Sequence, residues 1–553
     1  MNFSPIFSTE NIIIYCIISA MNALLLYLSS FKFMLALQQS GYNGKRYFKW
    51  VSNSKKTYMA RLMLLSMLGF LFFCVLNICF ASLLSVESVS YIGFLSYVLF
   101  SVSYVNTESA VNAKVPLKKT KRLIRLCISY ALILVLFSFG LVVLINFLVR
   151  LIGDETVFVL RNAIICVTPL LIQFLLYLAF LLNQPFEEII KRVYYVKTER
   201  KLDKNDVVKI GITGSYGKTT VKEILKGILS VKYRVLATPA SFNTPLGMSW
   251  AVKNLDSTHD IFIAEMGARS KGDIKELVKL VKPKYGILTG INNQHLETFK
   301  DIETTMATKF ELFEGLPSDG KGFFSSENTG AYELYQKYNG NKFLAGGNGE
   351  KNQTVYATDV NVTTRGTWFT LHIANEEPIP CMTTLLGKHS IDNICLASSV
   401  AYELGLTPVE IGFGISKLQS VMHRLELIPN NKNIVIIDDS YNANEDGVKA
   451  SMDVLDAFSG RKIVLTPGLV ELGKRENQAN YEMGQLLAKH ADMVIVIGKH
   501  NAEMLVAGLI DGGMDRENIS FYKSLNKGNA YLNTILKEGD VVLFENDLPD
   551  NYS

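Results

Sequence analysis

Hydrophobic and polar positions change their pattern near residue 183. Ahead of that point, uncharged apolar stretches run from Asn11 to Phe31, Leu62 to Val86, Ser88 to Thr107, Leu126 to Val149 and Asn162 to Phe186. Each is near or above the roughly 20 residues that a spanning helix needs. The pattern predicts an α-helical transmembrane domain over residues 1–183 with about five spans; the Ser- and Tyr-rich stretch from Ser88 to Thr107 also reads as a buried soluble helix. Over 184–206, apolar and charged positions mix at helical spacing around Phe186-Glu187-Glu188-Ile189-Ile190-Lys191-Arg192. That segment reads either as a linker helix lying along the inner membrane surface or as a solvated one. From 207 onward, short β-branched runs alternate with amphipathic helical segments, the pattern of α/β domains.

Charge orients the apolar part. Lys45, Arg46, Lys49, Lys55, Lys56 and Arg61 fill the first connection, and Lys114, Lys118, Lys119, Lys121, Arg122 and Arg125 the third. The remaining connections carry Glu87 and Gly153-Asp154-Glu155 with few basic residues. The basic loops are therefore expected in the cytoplasm, which places the N-terminus outside and everything after Leu182 inside. The first apolar run lacks a basic flank and is followed by further spans, which disfavours a cleaved signal peptide. Mean hydropathy is +0.20 over 553 residues, enough chain for a membrane unit and two ordinary soluble domains. The net charge of +5 is mild and is explained by the two basic loops, so no nucleic-acid partner is inferred. Cys16, Cys74, Cys79, Cys127 and Cys166 lie in apolar stretches, and Cys381 and Cys395 lack metal-type spacing; neither disulfides nor a zinc site is expected.

The strongest chemical signal is Thr213-Gly214-Ser215-Tyr216-Gly217-Lys218-Thr219-Thr220. It follows the β-branched run Val207–Ile212 and precedes Val221, Ile224, Leu225, Ile228 and Leu229 at helical spacing. A glycine-rich turn between strand and helix presents free amides to phosphate oxygens. Gly214 and Gly217 let the backbone wrap the phosphates, Lys218 supplies a point charge, and the Thr219 hydroxyl suits Mg²⁺. A strict P-loop has glycine where Ile212 stands here.

Further polar groups stand at the ends of apparent strands, where open α/β sheets place ligands. Asp260–Ala264 reads as a strand that delivers Glu265, a carboxylate suited to the metal that bridges nucleotide phosphates. Tyr285–Thr289 reads as another, ending in Gly290-Ile291-Asn292-Asn293-Gln294-His295-Leu296-Glu297. His295 is a ligand candidate, with a capping or core role as the alternative. Strands over Ile434–Ile437, Lys462–Leu465, Met493–Ile497 and Val541–Phe544 alternate with helical segments such as Asn480–Lys489, which predicts a Rossmann-like C-terminal domain.

Taken in order, the phosphate loop, Glu265-Met266-Gly267-Ala268, His295-Leu296-Glu297, Gly387-Lys388-His389 with Asn393, Arg424, Asp438-Asp439-Ser440-Tyr441-Asn442-Ala443-Asn444 and Glu471-Leu472-Gly473 resemble the Mur ligases over roughly residues 207–550. The Tyr-Asn-Ala-Asn and Glu-Leu-Gly segments resemble the D-alanyl-D-alanine-adding branch. The resemblance implies a central ATP-binding domain with a mostly parallel sheet over 207–420 and a C-terminal ligase domain over 421–553. It implies nucleotide contacts from Gly214, Ser215, Gly217, Lys218, Thr219, Thr220, His389, Asn393, Arg424 and Asp439, and metal ligation by Thr219, Glu265, His295 and Lys309. Lys218, His295 and Lys309 are the catalytic candidates. Lys309 matches a position that carries a carbamylated lysine in the family, where the modification converts a cation that would repel metal into a carboxylate-like ligand; composition alone would make it a solvated helix lysine. The implied cofactors are ATP and two Mg²⁺ ions, and the implied chemistry is phosphorylation of a carboxylate followed by attack of an amine.

Several departures bear on the substrate. Gly290 replaces the family's usual Asn, Glu445 and Gly447 alter the segment after Asn444, Thr466–Val470 precedes Glu-Leu-Gly in place of a Gly-Asp-Met pattern, and Phe544–Asp550 replaces a basic ending. Apolar spans stand where the family carries a domain that binds a UDP-sugar substrate. The resulting expectation is a multi-pass ligase of the bacterial plasma membrane with its catalytic domains in the cytoplasm. It would join an amino acid or dipeptide to a carboxylate of a lipid-linked or membrane-associated precursor of the cell surface. The alternatives are an ordinary D-alanyl-D-alanine adder with an added anchor, an ATP-driven transporter or flippase subunit, and a non-catalytic scaffold. Lys218, Glu265 and Asp439, whose loss would favour the scaffold, are all present.

Overall fold

The computed structural model describes residues 9–53, 117–152, 167–292, 301–363, 366–420, 423–429, 433–440, 445–470, 475–499 and 501–546, with a few isolated positions besides. The chain divides into two compact units, Met1–Ile190 and Lys191–Ser553.

In the first unit the described helices are α1 (Thr9–Ser29), α2 (Phe31–Gln39), α3 (Gly44–Asn53), α4 (Lys121–Ile152) and the start of α5 (Ile172–Lys204). Segments Ile12–Ser29, Lys121–Leu148 and Thr168–Lys204 are long and apolar enough to cross a membrane. The expected spans over 62–86 and 88–107 lie almost wholly outside the described residues. Leu26, Met34, Tyr47, Leu134 and Leu176 form a buried seam. Ile17, Ile128, Leu136 and Phe174 face outward, the reverse of what water would select. Several polar groups inside this unit are paired, as a low-dielectric interior favours. Asn22 donates to Ser138 at 3.1 Å, and the nearly buried Glu187 binds Arg125 at 2.7 Å and lies 3.8 Å from Arg122. Helix α5 continues through Pro185 to Lys204, so residues 184–204 are the end of a longer helix.

The second unit holds two sheets. The first runs β2 (Val235–Ala237), β3 (Ile261–Glu265), β1 (Val208–Thr213), β4 (Tyr285–Leu288), β5 (Lys321–Ser325), β6 (Asn341–Ala345), β7 (Val355–Thr363), β8 (Gly366–Ile373) and β9 (Ile379–Thr383). It is parallel through β7 and antiparallel over β7–β9. The central strands are buried on both faces, which is why they read as unbroken apolar runs. One face is covered by α6 (Lys218–Leu229), α11 (Lys388–Glu403) and α12 (Pro408–Ser416), through Val221, Leu225, Ile394 and Ile411. The other is covered by α7 (Pro245–Ala251), α8 (Asp273–Val281), α9 (Ile302–Glu314) and α10 (Thr329–Lys337). Leu202 from the end of α5 is buried in that same layer beside Met248 and Val252.

The second sheet runs β10 (Glu426–Leu427), β11 (Val435–Asp439), β15 (Val541–Glu545), β12 (Lys462–Thr466), β13 (Met493–Ile497) and β14 (Ile519–Tyr522). All are parallel except β10. Helices α13 (Glu445–Asp456), α14 (Glu476–His490) and α15 (Ala502–Asp511) cover one face and α16 (Leu525–Ile535) the other. This doubly wound form is the one expected from the sequence, and β11 and β15 extend one or two residues further than the pattern suggests.

A candidate nucleotide and metal site at the strand ends

The phosphate loop leaves the C-terminal end of β1 and enters α6. Gly214 has φ +155° and Gly217 φ +74°, conformations that favour glycine. A Cβ at Gly214 would also collide with Thr289 Oγ1. Gly217 caps α6 with left-handed geometry, and Lys218 is the first helical residue. The Lys218 ammonium donates to the carbonyls of Gly214 at 2.7 Å and Ser215 at 3.2 Å, so it is folded back over the loop that would hold phosphate. Burial pulls this amine down to about 8, with Arg424 adding to the effect and Glu265 opposing it. Thr220 lies partly buried in the same turn.

β3 ends in Glu265, which is 1% exposed. The Thr219 hydroxyl donates to Glu265 Oε2 at 3.0 Å, bringing two of the expected metal ligands together. Lys222 donates to the same oxygen at 3.2 Å, and Asn243 donates to Oε1 at 3.3 Å. The Glu265 amide is held by Thr238 Oγ1 at 3.1 Å. A hydroxyl and a carboxylate side by side are hard oxygen donors that fit Mg²⁺. Lys222, Asn243 and Thr238 were not anticipated. Lys222 follows Lys218 by one helical turn, a spacing that puts both on one face; Asn243 and Thr238 gave no such signal.

Lys309 sits on α9 and is 3% exposed. Burial, reinforced by Lys218, pulls its amine down to about 7, against the opposing charges of Asp273 and Glu311. Near neutral pH a large fraction is thus the free amine, the form that reacts with CO₂. The unmodified ammonium offers no lone pair to a metal. His295 lies outside the described residues.

On α11, Asn393 lies over the loop: a Cβ built on Gly217 would stand 3.4 Å from its Oδ1. His389 Nε2 is 3.3 Å from Ser390 Oγ, while its Nδ1 is buried without a hydrogen-bond partner. Burial, then the charge of Arg424, holds this imidazole down at about 4 and hence neutral at cellular pH. Arg424 lies between His423 (φ +61°) and Leu425 (φ +45°), two strained backbone positions where the chain passes into the second sheet. The Leu425 amide donates to Asp439 Oδ1 at 3.2 Å, and Ser451 donates to Oδ2 at 2.8 Å. Asp439 is raised by burial. Glu545, its partner in the β11–β15 register, is wholly buried with both oxygens unbonded, and burial raises it well above the ordinary range. Both carboxyls stand at the ends of parallel strands. A cavity of about 630 Å³ runs from Thr219 along α6 past Ser241, Lys226 and Lys417 to Arg424. Tyr441–Asn444, Glu471 and Gly473 lie outside the described residues.

Residues 212–401 match the sequence profile of the Mur ligase middle domain, and residues 423–545 that of the Mur ligase glutamate ligase domain. The UDP-N-acetylmuramoyl-tripeptide–D-alanyl-D-alanine ligase of Buchnera aphidicola is 29% identical over 306 residues, 55% of this chain and 66% of that one. The Escherichia coli ligase of the same name is 29% identical over 53% of this chain and 65% of its own. The Bacillus subtilis one is 29% identical over 61% and 72%. The chain thus spans just under two thirds of the first two relatives. The MurF ligase of Thermotoga maritima, solved with ADP, superposes with a TM-score of 0.58 at 26% identity, over 65% of this chain and 80% of that one. MurF of Acinetobacter baumannii has a TM-score of 0.59 at 22% identity, over 66% and 78%, a likeness of fold. The two matched profiles together take up more than half of the chain, and the chain belongs to the Mur ligase family.

Proposed function

We propose that this protein is a carboxylate–amine ligase of the D-alanyl-D-alanine-adding kind. The observation that carries the reading is the grouping of Lys218, Thr219 and Glu265 at the ends of β1 and β3, with Arg424 electrostatically coupled to Lys218 and His389. The loop amides and Lys218 bind and neutralise the phosphates of ATP, and His389 and Asn393 present a neutral, uncharged face to adenine. Thr219 and Glu265 would hold Mg²⁺, which when bound would screen phosphate charge; carbamylated Lys309 and His295 are the further ligands implied by the family. Screening removes the repulsion between an anionic acceptor and the γ-phosphate. The acceptor carboxylate attacks that phosphorus and ADP leaves. The amine then attacks the acyl carbon, inorganic phosphate departs with the C–O electron pair, and the amine releases its proton. The names of the relatives supply the donor D-alanyl-D-alanine and the acceptor UDP-N-acetylmuramoyl-tripeptide.

A second reading of the acceptor follows from the three apolar helices with outward-facing Ile128, Leu136 and Phe174: an acceptor held at a membrane, with lipid as a partner and the ligase unit on the cytoplasmic side. Purified full-length protein in detergent, given ATP, Mg²⁺ and D-alanyl-D-alanine, distinguishes the two. ADP release with soluble UDP-N-acetylmuramoyl-tripeptide supports the first acceptor, and release only with a membrane extract supports the second. Lys218→Ala and Glu265→Ala should each lower that release by at least about a hundredfold; full turnover in both overturns the ligase reading.

A further inference from the structure

The antiparallel edge of the second sheet sets two carboxylates against each other. Glu426 on β10 is the register partner of Asp438 on β11, and side chains so paired have Cβ atoms about 5 Å apart, where like charges repel. His423, three residues ahead of Glu426, completes the group. Its backbone amide donates to Glu426 Oε2 at 3.0 Å, and its ring Nδ1 lies 2.7 Å from Asp438 Oδ2. The Ser440 amide donates to Asp438 Oδ1 at 3.0 Å, and the Ser440 hydroxyl lies 3.5 Å from the same imidazole nitrogen. One ligand atom from each of His423, Glu426 and Asp438 lies within 4.8 Å of the other two. Among the described residues the ion pair in this group is His423–Asp438, and it exists only when the imidazole is protonated. A divalent ion coordinated by both acids would turn their repulsion into attraction.

We infer that His423, Glu426 and Asp438 form a second metal site, with ligands separate from Thr219 and Glu265, for a divalent transition ion of the Zn²⁺ or Co²⁺ type. An imidazole nitrogen among carboxylate oxygens favours these ions over Mg²⁺, which takes oxygen ligands and keeps its waters. Ligand atoms around tetrahedral Zn²⁺ stand about 3.3 Å apart, a spacing that side-chain rotation alone can reach from the positions seen here. His423 lines the cavity of about 630 Å³, which gives the ion a way in, and three protein ligands leave a position for water. The neighbours of the ligands indicate what the ion does. Arg424 lies between His423 and Glu426 in the chain, and Asp439 follows Asp438. A bound ion ties the strained positions His423 (φ +61°) and Leu425 (φ +45°) to β11. It thereby braces both nucleotide-contact candidates contributed by this end of the second sheet.

The test uses chelator-treated full-length protein in detergent, with Zn²⁺ and Co²⁺ alone as probes and excess Mg²⁺ present to occupy the Thr219–Glu265 site. Calorimetric titration should show Zn²⁺ binding whose Kd rises at least about a hundredfold in His423→Asn and in Asp438→Asn, more than the loss of an outer hydrogen-bond partner causes. Asparagine tolerates the positive φ of residue 423, so the backbone there is kept. Glu265→Gln should leave that Kd within about twofold. Co²⁺ should give a visible absorption band in the wild type that His423→Asn and Asp438→Asn lack. Unfolding temperature is a second readout. Without metal, Glu426→Gln should unfold at or above the wild-type temperature, because a like-charge pair has gone. Zn²⁺ at about a hundred times Kd should raise the wild type by at least about 2 °C and Glu426→Gln by less. Wild-type Zn²⁺ affinity in both asparagine variants, loss of binding in Glu265→Gln, or no Zn²⁺ binding to the wild type overturns the inference.

Discussion

The ring of Tyr216 fills the space that a side chain at Gly290 would need. A Cβ built on Gly290 would lie 2.5 Å from the Tyr216 Cζ and 2.7 Å from its hydroxyl oxygen. The tyrosine is fixed there, because Asn328 donates to its hydroxyl at 3.1 Å and Thr289 donates to its carbonyl. One residue of the phosphate loop and one at the end of β4 are thus matched in size.

Gly290→Asn should therefore lower ADP release at least about tenfold and destabilise the protein by about 1–3 kcal/mol through overpacking. Tyr216→Ser combined with Gly290→Asn should recover most of both. Thermal unfolding and turnover of the two single variants and the double variant measure the coupling; additive losses would show that the two positions do not share that space.

The buried Lys222–Glu265 pair makes a second double-variant test. Lys222→Met leaves a carboxylate at 1% exposure without its cation, a change that costs about 3–5 kcal/mol in buried pairs. Adding Glu265→Gln should restore much of the stability and none of the activity. Calorimetric unfolding shows the first outcome and ADP release the second; unaltered stability of Lys222→Met contradicts the pairing.

For Lys309, Lys309→Ala should be inactive and partly rescued by acetate or formate at tens of millimolar, because a small carboxylate can refill the place of a carbamate. With the wild-type amine at about 7, bicarbonate should activate freshly desalted enzyme more at pH 8 than at pH 6, where the lysine is mostly ammonium and adds CO₂ poorly. An unrescued variant with wild-type turnover removes Lys309 from the site.

His389 predicts a pH dependence of stability. Its folded value near 4 lies below the ordinary 6.5, so protonation favours the unfolded chain. The group's contribution is intact above about 6.5 and is lost as pH falls from there toward 4, with a slope of at most about 1.4 kcal/mol per pH unit. Denaturant unfolding of wild type and His389→Phe between pH 7.5 and 4.5 should show the steeper decline in the wild type. Parallel declines would show that the histidine titrates normally.

Much of the nucleotide site was legible because its chemistry is local. The strand, the turn and the amphipathic helix around Gly214 and Lys218 are contiguous, and Glu265 follows its own strand directly. What remained hidden depends on contacts between segments distant in sequence. Gly290 stood out as a departure, but its reason is a tyrosine on another strand's loop. Lys309 read as an ordinary helix lysine, since its helix carries Glu311 and Glu314 nearby and only packing against α8 and the sheet buries it. Glu545 drew notice as part of an acidic ending, and only the parallel register of β11 and β15 sets it beside Asp439.

Helix α5 belongs to the apolar unit at its start and to the ligase unit at its end. Tyr195 and Leu202 pack into the layer beneath β3, and Thr198 donates to Ser249 on α7 at 2.7 Å. A protease cutting between Tyr195 and Leu202 would therefore remove part of the hydrophobic interior together with the leader. A cut upstream of Lys191, where the second unit begins, would leave these contacts in place.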